Sequence, residues 1–355
     1  MDFQKIFDYA EQQGISDIHL TVGLPVFFRQ NKKIVPLDDK KITEEEIQNL
    51  LESLLDEKQK EMFHHQRQID FLTITPNGVR LRGNAFYQQY GISISFRVIP
   101  KVIRELTEIG FPQFLYDKVM ALKQGLILVV GPTGQGKTTT LASILQERIR
   151  TKTEHIITIE DPVEYVLPGG KGIIQQREVG RDVVDFTYGI EASLREDPDI
   201  LMVGEMRNLE TIASVLTMAE TGHTVFSTLH TNDGPQTITR IIDVFPADKQ
   251  EQIRSQLATT LRMVISQRLV PRKEGGLVLA FEILTSNYAI QNYIRQNKIF
   301  QIPNVLQTDS SGYMVQFEQS LAGLVIEGVV TKETAFEYSE DQDQLNAILV
   351  ANGVK

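Results

Sequence analysis

Cysteine and tryptophan are both absent from this 355-residue chain. Without thiols the chain has no disulfide, no thiolate-bound zinc and no cysteine nucleophile. No apolar run approaches the roughly 18 residues that a membrane-spanning helix needs. The amino terminus, MDFQKIFDYAEQQG, also lacks the apolar segment of a signal peptide. We therefore expect a cytoplasmic protein with no direct membrane insertion.

Basic residues are fewer than acidic ones. The chain has 36 Lys and Arg residues against 46 Asp and Glu residues, which gives a formal net charge of -10. A general grip on nucleic acid needs clustered basic residues along a phosphate track. We therefore expect no nucleic-acid partner.

The first hundred residues alternate between helical and strand patterns. Apolar positions at helical spacing predict a helix over 3–10, and a second helix that Thr43 and Glu46 open with a capping box. Period-2 alternation over 15–22 predicts a half-buried strand.

Residues 70–98 predict a three-strand antiparallel meander, with turn residues at both of its connections. Together with the preceding helices, the meander forms a small α+β domain over 1–98. A linker over 99–110 leads to the larger part of the chain.

Beyond the linker, the predicted strands are short, continuous apolar runs. Such runs are typical of parallel strands covered on both faces. We therefore predict an α/β domain with a parallel sheet up to about residue 290, and a helical tail that completes a domain over 111–355. The runs are 126-LILVV-130, 156-IITI-159, 200-ILMVG-204 and 225-VFSTL-229.

A phosphate-binding loop follows the first of these runs. The segment 131-GPTGQGKT-138 matches G-x-x-x-x-G-K-[ST] in full, between an apolar strand and a predicted helix. Its backbone N–H groups can surround phosphates, Lys137 can reach the outer phosphates, and the Thr138 hydroxyl can hold Mg²⁺. We expect ATP and Mg²⁺ as ligands. The predicted ATP-binding residues are Gly131, Thr133, Gly134, Gln135, Gly136, Lys137, Thr138 and Thr139.

Hydrolysis needs a water-orienting group at a neighbouring strand end. The run 200–203 delivers Glu205 to the carboxyl end of a strand, where ligands sit in open α/β sheets. A carboxylate there can polarise water for attack on the γ-phosphate. Gly204 stands where many P-loop enzymes have a metal-binding Asp, so other acids must meet the metal's charge.

Three such acids end the strand at 156–159. Glu160, Asp161 and Glu164 lie within five residues and repel one another unless a cation or solvent offsets the charge. Glu160 and Asp161 are predicted to reach the metal through water, and a solvated acidic turn is the alternative.

Two histidines flank the last strand, 224-TVFSTL-229. Seven residues of strand would hold His223 and His230 about 20 Å apart, which argues against a shared metal. A histidine at a strand's carboxyl end can instead sense the γ-phosphate, and a purely structural role is the alternative for each.

Two arginines face each other across the predicted meander. Its register places Arg82 opposite Arg97, and like charges in that position are destabilising. An anion between them would reverse the sign. Our hypothesis is that both arginines approach ATP held by an adjacent subunit, as arginine fingers do. The alternative is two solvated side chains that splay apart.

Together these elements resemble the secretion-superfamily ATPases, and most closely the PilT and PilU class of type IV pilus motors. The resemblance covers nearly the whole chain. The motifs that carry it are 16-SDIHLTVGLP-25, the Arg82 and Arg97 strands, the P-loop, the aspartate box 159-IEDPVE-164, the Walker B segment 195-REDPDILMVGEMR-207 and the histidine box 221-TGHTVFSTLHT-231.

The resemblance implies a PAS-like N-terminal domain, a RecA-like ATPase domain and a ring homohexamer with ATP at subunit interfaces. It implies that Glu205 is the catalytic base and that Arg82, Arg97 and Arg195 approach the phosphates. Glu164 and His230 belong to the same catalytic set, with His223 as a sensor. The implied partners are an inner-membrane pilus platform protein and a paralogous pilus ATPase, which would place the chain peripherally at the inner membrane.

The direction of force is a separate question. Assembly and type II secretion motors of the superfamily usually carry a further N-terminal domain and a tetracysteine zinc module, so a short chain without cysteine favours pilus retraction. One departure is 289-AIQNYIRQ-296, where retraction motors typically carry AIRNLIRE. That departure, and the segment 331–349, leave room for a PilU-like accessory motor.

Other interpretations stay open. An assembly, secretion or competence motor of the same superfamily is one. A RecA-like DNA translocase, a nucleotide-binding regulator with negligible turnover and a P-loop kinase are the others.

Overall fold

The computed structural model describes residues 1–30, 33–99, 101–309 and 311–354. The chain divides into two compact units. The first comprises Met1–Val102 with Glu164–Val166, and the second comprises Ile103–Val163 with Leu167–Lys355.

Within its described residues, the first unit contains a six-stranded antiparallel sheet in the order β3-β2-β1-β6-β5-β4. The predicted strand over 15–22, the meander and both helices are present. The strands are β1 (Asp17–Thr21), β2 (Phe27–Gln30), β3 (Lys33–Pro36), β4 (Gln68–Ile74), β5 (Arg80–Gln88) and β6 (Gly91–Ile99). The helices are α1 (Phe3–Gln12), α2 (Glu44–Leu54) and α3 (Glu57–Gln66).

Local sequence sets these elements as predicted. The capping box at the start of α2 is formed, with Thr43 and Glu46 each bonding the other's backbone. In the meander, the register pairs Gln88 with Gly91 at the turn and Arg82 with Arg97. The two like charges therefore lie directly opposite each other, as the alternation requires.

In the described part of the second unit, seven strands form one sheet in the order β13-β12-β7-β11-β10-β8-β9. All neighbouring strands are parallel except the β12–β13 pair, which is antiparallel. The strands are β7 (Gly125–Val130), β8 (His155–Glu160), β9 (Ile173–Glu178), β10 (Ile200–Val203), β11 (Thr224–Leu229), β12 (Leu261–Pro271) and β13 (Leu277–Thr285).

Four of these strands, β7, β8, β10 and β11, were predicted from apolar runs in the sequence, and β9, β12 and β13 were not. The prediction of a parallel sheet is wrong at one edge, where β12 and β13 form an antiparallel pair. Polar residues such as Ser266 and Gln267 interrupt the apolar run of β12, although both are buried. A search for continuous apolar runs therefore does not detect β12, although the strand is buried.

Helices cover the sheet and form the predicted helical tail. The α/β helices are α4 (Gln113–Ala121), α5 (Lys137–Thr151), α6 (Phe186–Ser193), α7 (Leu209–Glu220), α8 (Gly234–Asp243) and α9 (Gln250–Thr260). The tail contains α10 (Tyr288–Arg295), α11 (Ile302–Thr308), α12 (Phe317–Ile326), α13 (Lys332–Tyr338) and α14 (Gln342–Ala351). The altered motif 289–296 lies on α10.

The P-loop helix α5 is anchored by a buried arginine. Arg148 is only 1% exposed, and its guanidinium donates to both carboxylate oxygens of Glu154 at 2.9 and 2.6 Å. It also donates to the Val119 and Leu122 carbonyls at the end of α4. This paired, buried charge holds α5 in place against α4 and Glu154, because removing one partner would leave the other charged and buried without a partner.

Parallel pairing brings the functional segments to one edge of the sheet. Every residue of β7, β10 and β11 is buried. Leu229 lies opposite Val130, and Val203 lies opposite both Ser227 and Ile159. The carboxyl ends of these strands therefore present the P-loop, Glu205 and His230 together.

Candidate active site

The P-loop adopts backbone conformations that favour glycine. Gly131, Gly134 and Gly136 have φ values of +146°, +78° and +81°. A Cβ atom on Gly131 would lie 2.4 Å from the carbonyl oxygen of Gln267. Glycine at this position is thus needed both for its φ and for the close approach of β12.

Lys137 is buried against the loop that it follows. Its ammonium donates to the carbonyl oxygens of Gly131 at 2.6 Å and Pro132 at 3.0 Å. Its Nζ also lies 3.4 Å from Nδ1 of His230. The side chain therefore folds over the concave face of the loop, where phosphates bind in this motif.

Hydrogen bonds between Gln267 on β12 and the P-loop form a polar brace that was not predicted from the sequence. The buried side chain of Gln267 donates from Nε2 to the Gln135 carbonyl at 2.6 Å and accepts from the Thr140 hydroxyl at 3.0 Å. The Gln135 side chain accepts from the Leu269 N–H at 2.7 Å. These partners are more than 120 residues apart in sequence, so no local pattern could have indicated them.

Glu205 lies at the carboxyl end of β10, as predicted. It forms an ion pair with Arg207, and its Oε2 lies 3.7 Å from Nε2 of His230. Arg207 also lies 3.5 Å from Asp161, so it bridges two strand ends. The hydrogen bond to Glu205 raises the pKa of the Arg207 guanidinium. Arg207 was absent from the predicted site, although it lies within the Walker B segment.

His230 connects Glu205 to the P-loop. Its Nδ1 lies 3.4 Å from the Thr133 hydroxyl as well as from Lys137. Burial and the nearby Lys137 charge lower the pKa of His230 below its usual value. The imidazole is therefore mostly neutral at pH 7, with one ring nitrogen as donor and the other as acceptor.

His223 does not lie near the P-loop of its own chain. Its carbonyl accepts from Gly125, the first residue of β7, and its ring contacts the Met218 carbonyl and the Thr221 hydroxyl. The P-loop begins after the last residue of β7, about 20 Å further along at 3.3 Å per residue. A sensor of the chain's own γ-phosphate at His223 is inconsistent with this geometry.

The aspartate-box acids differ in their surroundings. Glu160 is buried and accepts from the Thr158 hydroxyl at 2.6 Å and from Gln176 at 3.1 Å. Asp161 faces Arg207, and Glu164 falls among the residues of the first unit. In the described ranges, no group of three or more His, Asp or Glu side chains is placed to hold a metal ion.

One arginine of the meander, Arg97, pairs with an acid that was not predicted as its partner. Asp17 on β1 lies opposite Arg97, and its carboxylate accepts from Arg97 Nε at 3.2 Å. Arg29 approaches the same carboxylate at 3.9 Å. Arg82 forms no ion pair with any residue that the structure describes. Asp17 thus offsets part of the repulsion between the two arginines. The positive charge of Arg82 is not balanced by an ion pair with any described residue.

Arg195 lies on the segment between α6 and β10, which leads to the amino end of β10. Because β10 runs parallel to β7, that end is at the edge of the sheet opposite the P-loop. Arg195 is exposed. Its predicted contact with phosphates could only be with a nucleotide held by another copy of the chain.

The family model for type II/IV secretion system proteins matches residues 2–299. The chain belongs to this family. It is similar to the type IV pilus retraction ATPase PilT of Pseudomonas aeruginosa, with 41% identity over 337 residues that cover 95% of this chain and 98% of that protein. It is also similar to PilU of the same organism, with 32% identity covering 98% of this chain and 91% of PilU.

A solved structure agrees over the whole length. A crystal structure of the pilus retraction motor PilT with bound ADP superimposes with a TM-score of 0.89 at 43% identity, covering 98% of this chain and 99% of that one. This secretion-family chain is therefore a PilT-class ATPase with a nucleotide-binding P-loop. Among its described residues, no helix is long and apolar enough to cross a membrane.

The partly buried carboxyl group of Glu282, beneath α8, makes the stability of this ATPase dependent on pH. Glu282 accepts from the Gly234 N–H at the start of α8 at 2.8 Å. Burial raises its pKa from 4.5 to about 7, and the nearby charges of Asp233, Glu340 and Glu318 act in the same direction. The folded chain thus holds this proton more tightly than the unfolded chain, and stability is lost as the pH rises from about 4.5 through 7.

Glu282→Gln should remove this cost, because the amide can still accept from Gly234 but does not ionise. A pKa raised from 4.5 to about 7 corresponds to about 3 kcal/mol at pH 8. We expect the variant to melt within a degree or two of the wild type at pH 5 and several degrees above it at pH 8, measured by calorimetry. Glu251→Gln, on the exposed start of α9, is the matched control. A difference in melting temperature that does not change with pH would contradict the assignment.

Proposed function

We propose that the chain is a hexameric motor ATPase that drives type IV pilus retraction through an inner-membrane platform protein. The observation that carries the proposal is the full-length similarity to PilT, in sequence and in fold, combined with Glu205 and His230 facing the P-loop. We propose a PAS-like domain over 1–98, a linker over 99–110 and a RecA-like domain over 111–355. The chain would lie in the cytoplasm, held at the inner membrane by the pilus machinery.

In the proposed mechanism, the P-loop N–H groups and Lys137 bind the phosphates of ATP, with Gly131, Thr133, Gly134, Gln135, Gly136 and Thr139 completing the cradle. Thr138, with Glu160 and Asp161 acting through water, would hold Mg²⁺, which would supply charge neutralisation.

Glu205 is proposed to orient the attacking water and accept its proton. Its carboxylate is engaged by Arg207, so that side chain must turn away first. Arg207 is 62% exposed and is free to do so. Neutral His230 would report the γ-phosphate to Glu205 through its second nitrogen.

The remaining catalytic groups are proposed to come from a neighbouring subunit. Arg82, Arg97 and Arg195 would stabilise the charge on the transferred phosphoryl group, with Glu164 completing the site. The positive charge of Arg82 is not neutralised by an ion pair with any described residue, which supports this role. A ring homohexamer provides such neighbours at every nucleotide site.

Similarity to both PilT and PilU favours the retraction branch. By contrast, the assembly ATPase PilB of Thermus thermophilus matches only 55% of this chain and 21% of its own length. The full-length match to PilU also makes a paralogous ATPase a candidate partner in the same machinery. Gln291 and Gln296 in the α10 motif are the positions where an accessory role would differ from a principal one.

The direction of force can be tested in cells that lack the native gene and carry the chain or its Glu205→Gln variant. Loss of hydrolysis in a retraction motor should leave long pili that do not retract, observed by fluorescence microscopy of labelled pili. Cells without pili would instead identify an assembly motor, and normal retraction would contradict both.

A further inference from the structure

A cavity of about 390 Å³ opens at the carboxyl ends of β10 and β11, beside the P-loop. Its wall consists of the segment after β10, the end of β11 and the first part of α8. The charged and titratable side chains in this wall are Glu205, Arg207, His230 and Arg240, with Gln236 beside them. A single water needs only about 10–15 Å³ of such space, so the cavity has room for a hydrated anion.

The cavity lies next to Lys137, the P-loop residue that reaches the outer phosphates. His230 forms part of its wall and is 3.4 Å from both Lys137 Nζ and the Thr133 hydroxyl. Lys137 is the residue that reaches the outer phosphates in this motif. Glu205, the proposed base, lines the same space. The cavity is therefore the open space next to the position of the γ-phosphate, into which orthophosphate could move after water has attacked ATP and the bond to ADP has broken.

The wall has one positive charge in excess. Glu205 is already neutralised by its ion pair with Arg207. Arg240 forms no ion pair within the described parts of the chain, and the rest of the lining is uncharged when His230 is neutral. Unpaired guanidinium groups are strong, bidentate donors to phosphate oxygens.

A second donor stands one helical turn from Arg240. Gln236 precedes it by four residues on α8, so both lie on the same face of the helix. The side-chain amide oxygen Oε1 of Gln236 accepts from the Asn232 N–H at 2.7 Å. That bond turns the amide oxygen toward the backbone and leaves the NH₂ group as a donor. The face of α8 that lines the cavity thus offers donors to an anion.

We propose that this cavity binds the orthophosphate released by ATP hydrolysis, with Arg240 and Gln236 as its principal donors. The inference rests on the proposed ATPase mechanism and adds no chemical step to it. Water attacks the γ-phosphorus, the bond to the ADP oxygen breaks, and the phosphate moves toward α8 while ADP stays in the P-loop. The occupied cavity then defines an ADP-plus-phosphate state, whose lifetime depends on Arg240.

Titration of orthophosphate into the full-length, ADP-loaded chain tests the proposal by calorimetry. We expect saturable binding by the wild type, at least tenfold weaker binding by Arg240→Gln, and partial recovery in Arg240→Lys. Arg295→Gln, which removes the same charge from the exposed end of α10, is the matched control and should bind phosphate like the wild type. The dissociation constant for ADP should be the same in all four proteins.

Two results would overturn the proposal. One is an ADP-loaded wild type that binds no orthophosphate. The other is an Arg240→Gln variant whose phosphate binding is unchanged, or falls only in step with its ADP binding. Neither measurement requires turnover or pili. Phosphate binding without any hydrolysis would therefore disprove the proposed motor function while keeping the site, and hydrolysis without phosphate binding would do the reverse.

Discussion

Glu205→Gln should lower kcat for ATP hydrolysis by about a thousandfold, within the 10²–10⁴ range expected for loss of a general base. The amide keeps the size of the side chain but cannot accept the water's proton. The dissociation constant for ATP should change by no more than about threefold, because the P-loop and Lys137 provide the phosphate contacts. A coupled ATPase assay and a fluorescent-nucleotide titration measure the two quantities.

The variant also breaks the ion pair with Arg207, so its folding must be monitored. Its melting temperature should stay within a few degrees of the wild type, since Arg207 is largely exposed and keeps Asp161 as a partner. Glu251→Gln is the control for loss of a carboxylate elsewhere in the second unit. A fall in kcat of less than tenfold in a folded Glu205→Gln protein would exclude Glu205 as the base.

Arg82→Glu should also abolish most turnover while leaving ATP binding nearly intact. An arginine that stabilises the transferred phosphoryl group in trans is worth about 10³–10⁵ in kcat. Arg82 gives a sharper test than Arg97, because reversal of Arg97 would also place a second acid beside Asp17. Lys58→Glu, on the exposed face of α3, is the matched charge reversal in the same unit.

Mixing two inactive proteins tests whether Arg82 acts on a neighbour's nucleotide. When Arg82→Glu and Lys137→Ala chains are co-expressed, some interfaces combine an intact P-loop with an intact Arg82. Such mixed rings should recover part of the ATPase activity that each variant lacks alone. Normal turnover by Arg82→Glu would refute the role of this arginine, and mixed rings that stay inactive would refute its action between subunits.

Local patterns in the amino-acid sequence were enough to predict most of the elements around the site and the motifs on them. Continuous apolar runs predicted the buried strands β7, β8, β10 and β11, and alternation predicted the meander in its register. The P-loop motif and the position of Glu205 at a strand end predicted the centre of the site. All of these depend on interactions among near neighbours in sequence, so a local pattern is enough to predict them.

The contacts between side chains on distant segments become visible in the folded chain alone. The hydrogen bond from Gln267 to Gln135, the approach of His230 to Glu205, and the pairing of Asp17 with Arg97 join residues on or beside different strands. The separation of His223 from His230, by contrast, follows from the length of β11 alone and agrees with the structure. The physical reason for the distant contacts is that strand order is set by packing of the whole sheet. Residues adjacent across two strands can be more than a hundred positions apart, and no periodicity in the sequence records that distance.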